Sequence, residues 1–271
     1  MYKYYPKNEI VVMGVSSLVS LKVIPVNSTQ ASQPSRFKSS RILSKVLSTA
    51  IRLWLRSQVE QVEALQVKIE GSDRLLLSGQ VPKVSVSAAR AVYQGLYLQQ
   101  ISLVAQAIQI NLSQVLKGQP LRLLEPVPVE GKLHLQEADL NHSLQVPLLA
   151  NGLTEFWLIL LKAAGLTNPV DRFKNQPILW QQIVLESERL TISGVCSDAI
   201  GNQTPIAIRA GVQIENGRQL RFYRVEIESS FGLPRINLDT LDLDLGSEVD
   251  IEELTLSSGQ IVCCGRLLVR P

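Results

Sequence analysis

The sequence is poor in the residues on which much protein chemistry depends. Its 271 residues include two histidines, His134 and His142, and three cysteines, Cys196, Cys263 and Cys264. So few cysteines exclude a disulfide framework, and two isolated histidines give little basis for a metal site or a catalytic triad. We therefore expect no cofactor, no metal and no catalytic residue, and a structural role for both histidines.

The sequence motifs of common nucleotide-binding and catalytic sites are missing as well. The chain contains no G-x-x-x-x-G-K loop, no G-x-G-x-x-G, no G-x-S-x-G elbow and no H-E-x-x-H. Aromatic residues make up only 5% of the chain, which argues against a stacking platform for single-stranded nucleic acid. No run of about 20 uninterrupted apolar residues predicts a transmembrane helix. We expect a protein that is not an enzyme and has no nucleic-acid partner.

Charge is present but unevenly distributed. Residues 1–56 hold nine bases and one acid, whereas the remaining 215 residues hold 18 bases and 23 acids. The basic front suggests an anionic partner such as a membrane surface, and a solubilising tail is the alternative. Residues 1–39 read as a flexible basic leader with a weak secretory signal around the apolar run 10–21. The expected location is peripheral to a membrane, in the envelope or periplasm if the leader is a signal and cytoplasmic otherwise.

A long amphipathic helix is predicted from Ser40 to Glu63. Apolar residues recur at steps of three and four, among them Leu47, Ile51 and Trp54. A basic stripe lies on the opposite face and consists of Arg41, Lys45, Arg52 and Arg56. Such a helix fits a membrane interface, where phosphates attract one side and acyl chains accept the other. The alternative is a core helix packed on a sheet, with a solvated basic face.

Period-two alternation follows the helix and predicts antiparallel strands with one buried face. It includes a predicted strand through Leu75, Leu77 and Gly79. Two stretches of about 64–130 and 178–240 resemble each other in hairpin and glycine placement and predict two related β-units. A helical insert is predicted at 137–166 and a terminal hairpin at 250–270. We expect residues 40–271 to form a single α+β domain.

Several short blocks then resemble the LmeA-like phospholipid-binding proteins. They are Ser78–Pro82 (SGQVP), Gly95–Leu98 (GLYL), Arg122–Pro128 (RLLEPVP) and Glu137–Asn141 (EADLN). The resemblance implies lipid binding at an envelope or membrane surface without catalysis. It also implies a strongly curved antiparallel sheet wrapped around the long helix, similar in outline to tubular lipid-binding proteins. The family offers no catalytic or ligand residues that can be transferred to this chain.

The function that we predict is binding or transfer of a phospholipid or other acyl lipid at an anionic membrane surface. The lipid would lie in an apolar groove between the sheet and the helices, because burial of apolar surface favours binding by about 25 cal/mol per Å². The predicted apolar lining consists of Leu47, Trp54, Phe156, Trp157 and Leu160. Arg41, Lys45, Arg52 and Arg56 are the predicted contacts to an anionic headgroup. Two alternatives are a protein-interaction scaffold with a fully packed core, whose partner is unknown, and a hydrolase of unknown type.

Overall fold

The computed structural model describes residues 49, 51–53, 55–56, 59–119, 121–169, 177–197, 201–229 and 235–271. Within these ranges the chain forms eleven strands and four short helices, and a further helical segment comprises residues 49, 51–53 and 55–56. The strands are β1 (Gln66–Glu70), β2 (Gln80–Tyr93), β3 (Leu96–Gln109), β4 (Val127–Gln136), β5 (Ile178–Glu186), β6 (Arg189–Ser197), β7 (Gln203–Asn216), β8 (Gln219–Ser229), β9 (Ile236–Asp244), β10 (Val249–Ser257) and β11 (Gln260–Val269). The helices are α1 (Asp73–Leu77), α2 (Leu112–Val115), α3 (Glu137–His142) and α4 (Pro147–Ala163).

The strands form two antiparallel sheets. The first sheet has the order β1-β2-β3-β4-β11-β10, so the C-terminal hairpin pairs with β4. The second sheet is a meander in the order β5-β6-β7-β8-β9. The antiparallel strands of the predicted α+β fold are therefore confirmed, although the described residues form two sheets where one curved sheet was expected.

The first sheet is amphipathic because of its register. Ile101, Leu133, Cys263 and Leu254 lie side by side on β3, β4, β11 and β10 and form one apolar row. The next row contains Ser102, Lys132, Cys264 and Glu253. Successive side chains of a strand point to opposite faces. One face of this sheet is therefore apolar and the other is polar.

The second sheet has its apolar face covered by α4. Trp157, Leu160 and Leu161 of that helix have no exposed surface and pack with buried side chains of β5 to β9. The indole Nε1 of Trp180 donates a hydrogen bond to Thr154 Oγ1 at 3.1 Å, which fixes β5 to the helix. This side of the molecule is a filled core.

Two sequence predictions are corrected here. Residues 59–63 do not continue the helix, because the Glu60 N–H donates to Val92 O and the Val92 N–H donates to Gln61 O, both at 2.8 Å. The free edge of β2 beyond β1 supplies those partners. The strand predicted at 75–79 is instead α1, in which the middle leucine, Leu76, is buried. Three consecutive leucines are consistent with the period of a strand and with that of a helix, so alternation alone could not distinguish the two.

Candidate functional site

The apolar face of the first sheet is incompletely covered. Five of its residues, which lie on β3, β10 and β11, are half-buried. They lie outside the three clusters of buried side chains that the described residues form. They are Leu103, Ile251, Leu254, Cys263 and Leu267. At the other side of the face, Ile51 and Leu55 of the N-terminal helical segment pack with Val81, Val84 and Ile108. The half-buried strip is therefore confined to β3, β4, β11 and β10.

Two glycines lie opposite each other in the middle of this strip. Gly131 of β4 pairs with Gly265 of β11, so this position lacks side chains on both strands. A Cβ atom at Gly131 would lie 3.3 Å from Leu103 Cδ2. A Cβ atom at Gly265 would meet Asp250 O at 2.5 Å, because β10 bulges between Ile251 and Glu253. The space beside both glycines is therefore occupied, by the Leu103 side chain at Gly131 and by the backbone of β10 at Gly265.

The titration of one cysteine reflects the apolar character of the strip. Burial raises the pKa of the Cys263 thiol to about 11, and the neighbouring Cys264 adds to the shift. Desolvation disfavours the thiolate because a charge loses its hydration in apolar surroundings. Cys264 occupies the polar row on the other face of the same strand. The two adjacent thiols thus lie on the two faces of one sheet.

The described residues form several surface recesses, of which two are relevant to ligand binding. One holds about 280 Å³ and is lined by Leu75, Val81, Pro82, Ala107 and Ile108 together with Gln80 and Gln109. The other holds about 220 Å³ next to Arg218, Glu248, Asp250 and Arg266. Both lie below the roughly 300–1,000 Å³ of a typical ligand pocket.

The predicted site residues lie in different places. Trp157 and Leu160 belong to the filled core beneath the second sheet, and Phe156 is half-buried with its ring 4.6 Å from that of Phe222. Arg52 and Arg56 are exposed on the N-terminal helical segment. The predicted residues Leu47, Trp54, Arg41 and Lys45 lie outside the described residues. Assignment of the described members to a lipid site stays a prediction.

Sequence reasoning missed the strip residues themselves. Leu103, Leu254 and Cys263 are far apart in the chain and meet only because the C-terminal hairpin adds to β4. The available signal was the glycine at position 265 in an alternating apolar strand, which often marks a bulge or a close approach.

The EADLN block has a structural role at the junction of the two sheets. Glu137 Oε2 accepts the backbone N–H of Leu185 at 2.7 Å. Asn141 Oδ1 accepts the N–H of Ile183, and its Nδ2 donates to the carbonyl of the same residue, both at 2.8 Å. Gln145 Nε2 donates to Trp180 O at 2.6 Å. Three side chains spaced four residues apart thus provide hydrogen-bond partners for the backbone at the free edge of β5 and attach this edge to the end of β4.

The described residues lack two further classes of feature. No helix in that part of the chain is both long and apolar enough to cross a membrane. The same residues contain no group of three or more histidine, cysteine, aspartate or glutamate side chains arranged to hold a metal ion.

These features define a β-rich protein with one filled core and one half-buried apolar sheet face, the kind of surface on which apolar ligands bind. The chain belongs to the LmeA-like phospholipid-binding family, whose model matches residues 39–266 and so covers most of its length. No curated protein and no solved structure matches the chain significantly.

Proposed function

We propose that this protein binds a phospholipid without catalysing a reaction, and that an acyl chain lies on the half-buried strip of the first sheet. Membership of a phospholipid-binding family supports the ligand class. The observation that carries the location is the position of Cys263 and Leu254. They continue the apolar row of Ile101 and Leu133 across β11 and β10, but they are half-buried and lie outside the cluster with which Ile101 and Leu133 pack.

The strip has suitable dimensions for such a ligand. Four strands spaced about 4.8 Å apart give a face about 14 Å wide between the outer strands. Each methylene group that leaves water for this face contributes about 0.8 kcal/mol. In this position the acyl chain contacts Leu103, Leu254 and Cys263 of the strip. Apolar burial supplies the binding energy, and the headgroup remains near solvent.

The finer parts of the sequence hypothesis belong to this proposal. They are a sheet curved around the long N-terminal helix, an apolar groove between the two, lipid transfer at a membrane surface, and contact of the headgroup with the basic stripe from Arg41 to Arg56. The two related β-units also stay a prediction. In the scaffold alternative, the strip instead packs against a partner protein.

The adjacent cysteines provide a matched test. The variant Cys264→Ser keeps Cys263 as a probe on the apolar face, and Cys263→Ser keeps Cys264 on the polar face. The third cysteine, Cys196, is buried with no exposed surface. Maleimide labelling is followed by mass spectrometry at mildly alkaline pH, with and without vesicles of phosphatidylcholine and phosphatidylglycerol. At a lipid concentration about ten times Kd, we expect labelling of Cys263 to slow about tenfold, since only the lipid-free fraction reacts.

Cys264 is the internal control and is expected to keep its labelling rate. Native mass spectrometry of the same samples reports lipid occupancy separately. Bound lipid with an unprotected Cys263 overturns the location on the strip. Absence of bound lipid in both variants and in the unmodified chain overturns the proposed function and favours the scaffold.

A further inference from the structure

Large exposed apolar side chains are concentrated at one end of the first sheet. The exposed fractions there are 39% for Leu75, 52% for Leu77, 62% for Leu116 and 56% for Leu124. Leu75 and Leu77 lie on α1, Leu116 ends α2, and Leu124 precedes β4. We name these four residues the leucine end.

Backbone hydrogen bonds hold the parts of the leucine end together. The Ile110 N–H donates to Gly79 O at 2.9 Å and so joins the end of β3 to the second residue after α1. Asn111 Oδ1 accepts the N–H of Arg122 at 2.7 Å. The Leu124 N–H donates to Gln109 O at 2.9 Å, and Gln109 also lines the recess next to Leu75. The four leucines are therefore presented by one connected structure rather than by independent loops.

Folding of this end does not need the exposed leucines. Leu76 and Leu112 already anchor α1 and α2, with 0% and 6% of their surface exposed, in a buried cluster with Val81 and Ile110. Exposing a large apolar side chain forgoes the stabilisation that its burial provides. Four such side chains at one end concentrate exposed apolar surface there, which is typical of an interaction surface.

The charges around this end indicate the partner. Arg74, Lys117 and Arg122 are exposed and form no ion pair with a described residue. The acids in the same segments are Asp73 and Glu125. The N-terminal helical segment adds exposed Leu53, Arg52 and Arg56 beside the same cluster, since Ile51 packs into it. Five bases with two acids around exposed leucines complement an anionic, apolar surface.

We propose that the leucine end inserts into the interface of a membrane that contains anionic phospholipid. The leucines enter the boundary between headgroups and acyl chains, while Arg74, Lys117 and Arg122 extend to the phosphates. This surface is separate from the strip on the sheet face. The recess lined by Leu75, Val81 and Ile108 opens at the same end, which places apolar surface of the first sheet next to the bilayer.

Vesicle flotation of the full chain tests the proposal. The vesicles contain phosphatidylcholine alone or with one third phosphatidylglycerol. The variant Leu77→Asn/Leu116→Asn/Leu124→Asn is expected to lose binding by about a hundredfold or more, because three large apolar side chains no longer leave water. The variant Arg74→Gln/Lys117→Gln/Arg122→Gln is expected to lose about a hundredfold on anionic vesicles only, at roughly fivefold per cation.

Matched controls are Leu179→Asn, which changes a leucine 46% exposed on β5, and Lys162→Gln, which changes an exposed lysine of α4. Both are expected to bind as the unmodified chain does, and thermal unfolding checks that all variants fold. Wild-type binding by the leucine variant, or no flotation of the unmodified chain, overturns the proposal. Protection of Cys263 by a micellar short-chain phospholipid in the leucine variant shows that the strip functions even if the leucine end does not.

Discussion

The two sheets share a sequence pattern but differ in how their apolar faces are covered. The second sheet packs against α4, whose Trp157, Leu160 and Leu161 have no exposed surface. The first sheet has apolar residues at equivalent alternating positions, yet Leu103, Leu254 and Cys263 remain half-buried. Alternation therefore specifies that a strand has an apolar face, while the chain around it decides whether that face becomes core or surface.

The difference follows from the position of the covering elements in the chain. Helix α4 precedes β5 in the chain and packs in one cluster with side chains of the meander from β5 to β9. On the first sheet, Ile51 and Leu55 of the N-terminal segment and Leu76 of α1 pack near β2, and Val59 and Val62 pack beside Tyr93. At one end of the opposite side, Leu135, Leu256 and Ile261 pack against the cluster that contains α4. The hairpin β10–β11 extends the face between these covered parts, where Leu254 and Cys263 pack in none of the clusters.

The largest expected effect is a difference in the free energy of unfolding between two variants, one on each apolar face. Leu160→Ala removes a side chain with no exposed surface, and we expect it to lower the free energy of unfolding by about 2–5 kcal/mol. Leu254→Ala makes the same chemical change on the half-buried strip, where water already reaches the side chain, and we expect a loss of about 1 kcal/mol or less. Urea unfolding of both variants measures the difference. Equal losses would show that the strip is packed as tightly as the core.

A smaller effect is expected at the junction between the sheets. Asn141→Ala removes both hydrogen bonds to the backbone of Ile183, and leaving those groups without partners costs about 1–3 kcal/mol. The matched control is Asn237→Ala, since Asn237 is exposed on β9, and we expect it to be nearly neutral. Urea unfolding again measures both. If the two variants lose the same stability, the EADLN block does not hold the sheets together.

Sequence reasoning predicted the local features that a short window contains. The antiparallel strands and the family were recovered, because alternation and several short blocks are local signals. The pairing of β11 with β4 was not predicted, since Cys263 and Leu133 are separated by 130 positions and no local pattern encodes that contact. The outward direction of Leu75 and Leu77 was missed for a related reason. The orientation of α1 is determined by burial of Leu76 among Val81 and Ile110, and this is a tertiary contact that no local pattern encodes.

The smallest expected effect compares the polar faces of the two sheets. On the second sheet, Arg235 contacts Glu226 at 2.9 Å and Glu228 at 3.4 Å, and Arg209 contacts Glu228 at 2.8 Å. The hydrogen bond from Arg235 is the main cause that lowers the pKa of Glu226, and the one from Arg209 is the main cause for Glu228. A carboxyl whose pKa is lowered in the folded state stabilises the fold above its unfolded pKa.

That contribution is lost as the pH falls through the folded-state pKa, so the Tm is expected to decline as the pH drops below the ordinary glutamate value of 4.5. Glu228→Gln removes one of these carboxyls and is expected to flatten part of the decline, by a small amount because the pairs are exposed and screened by salt. Glu130→Gln is the control on the first sheet, since exposed Glu130 forms no ion pair with a residue in the described ranges. Calorimetry across the acid range measures both variants. Indistinguishable profiles would mean that the ion pairs of Glu228 contribute no more to stability than the unpaired carboxylate of Glu130.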